Sequence, residues 1–217
     1  MKKLGVYSFL AISALFLLYW MNPLAAYADT VTMTLENVGP GNNSGGVYTY
    51  PYNFSIDGSS SYVGLMCFDY TDEIYFGETW TATVVPINAS SSKDDLELAY
   101  LFSVASSASS PAATAADAQW AAWELFDPGL TAPTQNGVSQ AGVATELTNA
   151  ENADLSAFDS GYALYIPDRG WPENDGLPQS LIGLAPTPEP GSLVLLGTGL
   201  GVLAFAGAFY RTKRRTA

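Results

Sequence analysis

Apolar and polar residues alternate along Val31-Thr32-Met33-Thr34-Leu35 and again from Thr79 to Ile87, the two-residue period of strands with one buried face. Between them, Val47 to Phe54 is rich in Tyr and other aromatics, and Tyr62 to Phe68 is a short apolar run. Both have strand length and strand composition. The Gly-Pro-Gly-Asn-Asn-Ser-Gly-Gly run from Gly39 to Gly46 reads as a turn or loop, and Asp57-Gly58 as a hairpin turn. The stretch from Thr30 to Asn88 is therefore predicted to be β-rich.

The period changes after Asn88. Ala89-Ser90-Ser91-Ser92 is punctuation, and Asp94 and Asp95 suit a helix start, where carboxylates meet the positive end of the helix dipole. Leu96, Leu98, Ala99, Leu101 and Phe102 then make a helical stripe ending near Val104. After a small-residue loop from Ser106 to Pro111, Thr114 is expected to cap a second helix running to Phe126, which Asp127-Pro128-Gly129 ends. A third helix is expected over Val138 to Ala150, a returning strand over Gly161 to Ile166, and a polar loop from Asp168 to Gly176. The fold class is α+β: a single domain over residues 29–184, β-rich in its N-terminal half, with a helical segment inserted before the last strand. Roughly 160 residues are enough for a real core.

The two ends read as addresses. Lys2 and Lys3 precede an apolar stretch from Leu4 to Leu18, Pro23 breaks it, and Ala26-Tyr27-Ala28 is the small-x-small pattern that signal peptidase reads. Residues 1–28 are thus a signal peptide with a short apolar helix, cut before Asp29. At the other end, Gly191 to Tyr210 carries no charge and, as a helix, matches the roughly 30 Å apolar core of a bilayer. Arg211, Lys213, Arg214 and Arg215 follow it and hold that end on the cytoplasmic side, so the domain faces out. Gly197 and Gly201 form a GxxxG step within this transmembrane helix, a weak packing signal.

Pro188-Glu189-Pro190, the apolar span and the Arg-rich end together resemble the bacterial PEP-CTERM sorting signal, which assigns residues 185–217 to sorting. That resemblance implies a substrate of exosortase, an integral-membrane cysteine peptidase-like enzyme. It also implies passage through the inner membrane to the cell envelope or extracellular matrix of an exopolysaccharide-making bacterium. The prolines lack backbone donors and cannot continue a helix, so the motif is expected to be extended and accessible outside the membrane.

Charge narrows the functional classes. All 21 Asp and Glu residues lie between Asp29 and Glu189, where Lys93 and Arg169 are the only cations, leaving that segment at −19. Such a surface repels nucleic acid, which is excluded as a partner. The chain has no His, which removes Ser-His-Asp and Cys-His catalysis and every His metal site. Its single cysteine, Cys67, forms no intramolecular disulfide. No cofactor is expected. Asp168, Glu173 and Asp175, or Asp69, Asp72, Glu73 and Glu78, are loose acidic groups of the kind that bind Ca²⁺, but neither has EF-hand spacing, and no metal site is assigned. Sequons at Asn42, Asn53 and Asn88 read as chance in a bacterial setting.

Cys67 lies in Leu65-Met66-Cys67-Phe68-Asp69, and Ala118-Gln119-Trp120-Ala121-Ala122-Trp123 follows downstream. A lone cysteine followed by Gln-x-Ala-x-Trp resembles bacterial thioester domains, over roughly Tyr62 to Asp127. In that family the cysteine sulfur and glutamine side chain join with loss of ammonia, and the resemblance gives Cys67 and Gln119 those roles. Ala118 stands where the family usually has Thr. A thioester is a stored electrophile open to a surface amine, and Trp120, Trp123 and Phe68 are available to keep water off it. The plainer reading of the same residues is a buried cysteine and an amphipathic core helix.

Two functional classes remain. One is a non-enzymatic surface or biofilm protein that meets polysaccharide or a surface amine. The other is a secreted carboxylate-dependent glycan hydrolase, for which Tyr and Trp (13 and 5 residues) would provide sugar stacking. N-terminal sequencing of the exported protein is expected to begin at Asp29; a start at Met1 would rule out cleavage.

Overall fold

The computed structural model describes residues 30–186 except 40–42, 45, 108, 111, 135–136 and 169–177. These belong to one compact unit, Ala28–Pro186. The signal peptide, its cleavage residues Ala26, Ala28 and Asp29, the motif Pro188-Glu189-Pro190, the apolar span 191–210 and the cluster Arg211, Lys213, Arg214 and Arg215 lie outside the described residues. Among the described residues no helix is long and apolar enough to cross a membrane.

Six strands close into an antiparallel barrel: β1 (Thr30–Val38), β4 (Tyr52–Ile56), β5 (Tyr62–Cys67), β8 (Leu181–Leu184), β7 (Tyr162–Pro167) and β6 (Thr79–Pro86), in that order around the wall. A small ribbon of β2 (Asn43–Ser44) and β3 (Val47–Tyr48) lies within the Gly-rich loop that the sequence marks. Alternation sets the inward faces. Val31, Met33 and Leu35 of β1 are buried, as are Trp80, Ala82 and Val84 of β6, with exposed or half-exposed residues between them. Pairing Met33 with Trp80, Leu35 with Phe54, and Tyr52 with Leu65 brings these side chains to one face. Asp57 and Gly58 both adopt positive φ and turn β4 back towards β5, and the Asp57 carboxylate accepts the Thr32 N–H at 2.8 Å. That is the geometry expected of Asp-Gly.

Alternation fails on β5, where Leu65, Met66 and Cys67 are all fully buried. Leu65 and Cys67 share the face that pairs with Tyr52 and Leu181, while Met66 points the other way beside Ile182. Both faces are covered because the helices inserted between β6 and β7 pack here. α1 (Lys93–Ser106) lies against β8, α2 (Ala112–Phe126) against β5, and α3 (Gln140–Asn152) against α2.

Each helix has a legible cause. Ser92 caps α1 in a capping box with Asp95, and the stripe Leu98, Ala99, Leu101, Phe102 and Ala105 is buried. Ser139 caps α3 by accepting the Gly142 N–H at 3.0 Å. α2 is buried continuously from Ala116 to Trp123, because it is flanked by both other helices and the barrel. Its alanines let the neighbours approach, so no stripe marks it. It also begins at Ala112, so Thr114 lies inside it rather than capping it. An Ala run propagates a helix well and carries no start signal of its own. Strand β8 was not foreseen: four residues after a polar loop have no period to read.

Asp117 of α2, mostly buried, accepts the Ser139 N–H at 3.0 Å, and a Cβ on Gly142 would collide with its other carboxylate oxygen. Gly to Ala within a helix normally stabilises by about 1 kcal/mol. Here Gly142→Ala is expected to destabilise by about 1–3 kcal/mol through overpacking, read as a lower urea midpoint. A rise in the midpoint would show that Asp117 is free to move.

Candidate functional site

Cys67 ends β5, and Gln119 projects from the buried centre of α2; both are fully buried. The Gln119 side-chain Nε2–H donates to the Cys67 carbonyl at 2.5 Å, across 52 residues of sequence. Its Oε1 accepts the Tyr50 backbone N–H at 3.1 Å. These two bonds fix which way the carboxamide faces. Trp123, one turn along the same helix face, donates its indole N–H to the Cys67 sulfur at 3.5 Å. The thiol itself donates to the Asp69 carbonyl at 2.9 Å. The two residues that the sequence singled out thus meet in one buried place.

Burial pushes the Cys67 thiol from 9.0 up to about 12. The Trp123 and Asp69 hydrogen bonds pull it down in part, and the Asp69 and Asp72 charges push it up again. At neutral pH it is a protonated thiol, not a free nucleophile. Asp72 is itself raised, first by partial burial and then by its hydrogen bond with Asp69 and by the Asp69 charge.

Trp123, the ring that touches the sulfur, belongs to an aromatic cluster. Trp120 and Trp123 pack edge-to-face at 5.1 Å, and Tyr70 lies on both, 5.6 Å from Trp120 and 5.2 Å from Trp123. Phe68 packs on Phe126 instead, at 5.1 Å. Sequence reading missed Tyr50, Tyr70 and Gln179. Gln179 donates to the carbonyls of Asp69 (3.2 Å) and Asp72 (2.6 Å) and so holds the loop after β5. Nothing local distinguishes Tyr50 or Tyr70 from the chain's other tyrosines.

The acidic candidates are spread out. Asp168 accepts from the Thr83 hydroxyl at 2.6 Å, Glu73 from the Tyr75 hydroxyl at 2.7 Å, and Glu78 from the Tyr75 N–H at 2.8 Å. Glu173 and Asp175 lie outside the described residues. Among the described residues no three His, Cys, Asp or Glu side chains cluster as metal ligands.

Residues 186–215 match the PEP-CTERM protein-sorting motif. The chain therefore carries an exosortase-type sorting motif: it is an exported protein, processed at the membrane by an exosortase. Neither the curated proteins nor the solved structures contain a match to it.

Because the folded thiol titrates near 12 and the unfolded one near 9.0, the unfolded chain releases its proton first as pH rises. The stabilisation is complete below pH 9.0 and is lost as pH climbs towards 12, at about 1.4 kcal/mol per unit. In the free-thiol form, urea unfolding above pH 9.0 is expected to steepen in pH dependence relative to Cys67→Ala. Identical slopes would place the thiol in contact with water.

Proposed function

We propose that the exported domain is a non-enzymatic surface-attachment module whose Cys67 and Gln119 join in an internal thioester that captures an amine on a partner surface. The observation that carries this reading is the Gln119 carboxamide, fully buried and held by the Tyr50 N–H and by the backbone carbonyl of the equally buried Cys67. Bond formation needs no external group. Sγ adds to the Gln119 side-chain carbon, the developing negative oxygen keeps its Tyr50 N–H donor, the thiol proton passes to Nε2, and ammonia leaves. In the second step an amine adds to the same carbon, the C–S bond breaks, and the sulfur leaves. A buried thiolate of high basicity takes the amine proton, so the missing histidine is not needed.

The burial of the pair, under Trp123, supports a long-lived bond by keeping water from it. The sorting motif supports display at the envelope or in the extracellular matrix, where foreign amines or polysaccharide are met. The glycan hydrolase reading is less well supported. Asp69 and Asp72 lie together and hydrogen-bond each other. Carboxyls that flank a glycosidic bond stand about 5 Å apart or more.

The test is intact mass of the mature protein with and without methylamine. The expected mass is one ammonia below the sequence value, rising by the whole amine on treatment and exposing one thiol. Cys67→Ala and Gln119→Ala are expected to show the full sequence mass and no amine uptake. A wild-type mass equal to the sequence value, with Cys67 free, would refute the thioester and leave a non-covalent envelope protein.

A further inference from the structure

Two grooves adjoin Trp123, whose indole N–H touches the buried sulfur. One, of 470 Å³, is lined by Tyr48, Tyr52, Asp72 and Phe76 among others; the second, of 360 Å³, by Phe68, Thr71, Phe126 and Asp127. Cys67 lines neither, and only Tyr70 and Trp123 line both. The partition between the grooves is therefore this pair of rings, and Trp123 is the one that touches the sulfur. Trp123 is 2% exposed on the most buried stretch of α2, tied by its indole N–H, and cannot swing without displacing the core. Tyr70 is 37% exposed and lies on the rings of Trp120 and Trp123.

We propose that Tyr70 is the gate to Cys67: its side chain closes the route from either groove to the sulfur and sets which molecules reach it. The backbone on both sides of Tyr70 is clamped, because Gln179 holds the carbonyls of Asp69 and Asp72 and the Asp69 carboxylate caps the Thr71 N–H at 3.2 Å. Opening is thus a rotation of one side chain, not a movement of the loop. Side-chain rotation at a part-exposed position is fast, whereas loop rearrangement is slower. The consequence for amine capture rests on the thioester reading: Tyr70 then decides how fast water or an amine of a given size arrives. Control of access to the sulfur does not depend on that reading.

The test is alkylation of Cys67 in the intact chain by iodoacetamide and by a bulkier maleimide, at fixed pH. Methylamine-treated protein is used, in which the sulfur is free whether or not a thioester preceded it. Tyr70→Ala is expected to raise the iodoacetamide rate about tenfold and the maleimide rate more, by lowering the cost of local opening. Tyr70→Phe should match wild type, and Tyr70→Trp should slow both reagents. The urea midpoint of each variant is measured alongside. If Tyr70→Ala and Tyr70→Trp both react like wild type, or if every rate simply follows loss of global stability, Tyr70 is not a gate. Failure of the thioester appears separately, as an untreated mass with no ammonia deficit.

Discussion

The candidate site depends on one buried carboxamide. Gln119 reaches from the centre of α2 to β5 through the Cys67 carbonyl and to the chain before β4 through the Tyr50 N–H. A polar side chain with no solvent exposure is tolerated only when its hydrogen bonds are made. Here each partner comes from a different part of the barrel edge, so meeting that requirement locks the inserted helices to the sheet. The helix is fixed at the depth that also puts Trp123 against the sulfur and Trp120 beneath Tyr70. The same bonds tie the amide to the backbone of the residue that carries the only thiol in the chain.

The surroundings of that pair favour slow, protected chemistry. Burial keeps the sulfur protonated, the rings exclude water, and the chain has no imidazole to shuttle a proton. On the proposed thioester reading, these features suit a bond made once and held. Several of the described acidic residues are engaged in turns and caps, such as Asp57 at the β4 turn and Asp95 in the α1 capping box.

Much of the secondary structure could be read locally. The strands β1 and β6, the Asp57-Gly58 turn and the stripe of α1 follow from patterns within a few residues, because one face of each element meets the core and the other meets water. Where both faces are covered, length and composition mark the element instead of a period, as for β5. β5 and α2 show no alternation, since neighbours surround them, and Thr114 as a cap would start α2 three residues after its first residue, Ala112. The four residues of β8 were missed for a related reason: their strand character comes from the edges of β5 and β7 that receive them.

The sequence alone determined the C-terminal sorting motif and the chemical inventory. Signal segments and sorting motifs work as linear patterns of charge, hydropathy and small residues, so composition and order suffice to recognise them. It also pointed to Cys67 and Gln119, through a resemblance to thioester domains carried by the lone cysteine and the Gln-x-Ala-x-Trp pattern. Only the tertiary structure decided that the sheet closes into a barrel, that these two residues meet, and that Tyr50, Tyr70 and Gln179 complete their surroundings. Those contacts join residues up to 110 positions apart. Local patterns carry no information about which distant edge a strand will pair with, because that is settled by closing the sheet and burying the helices together.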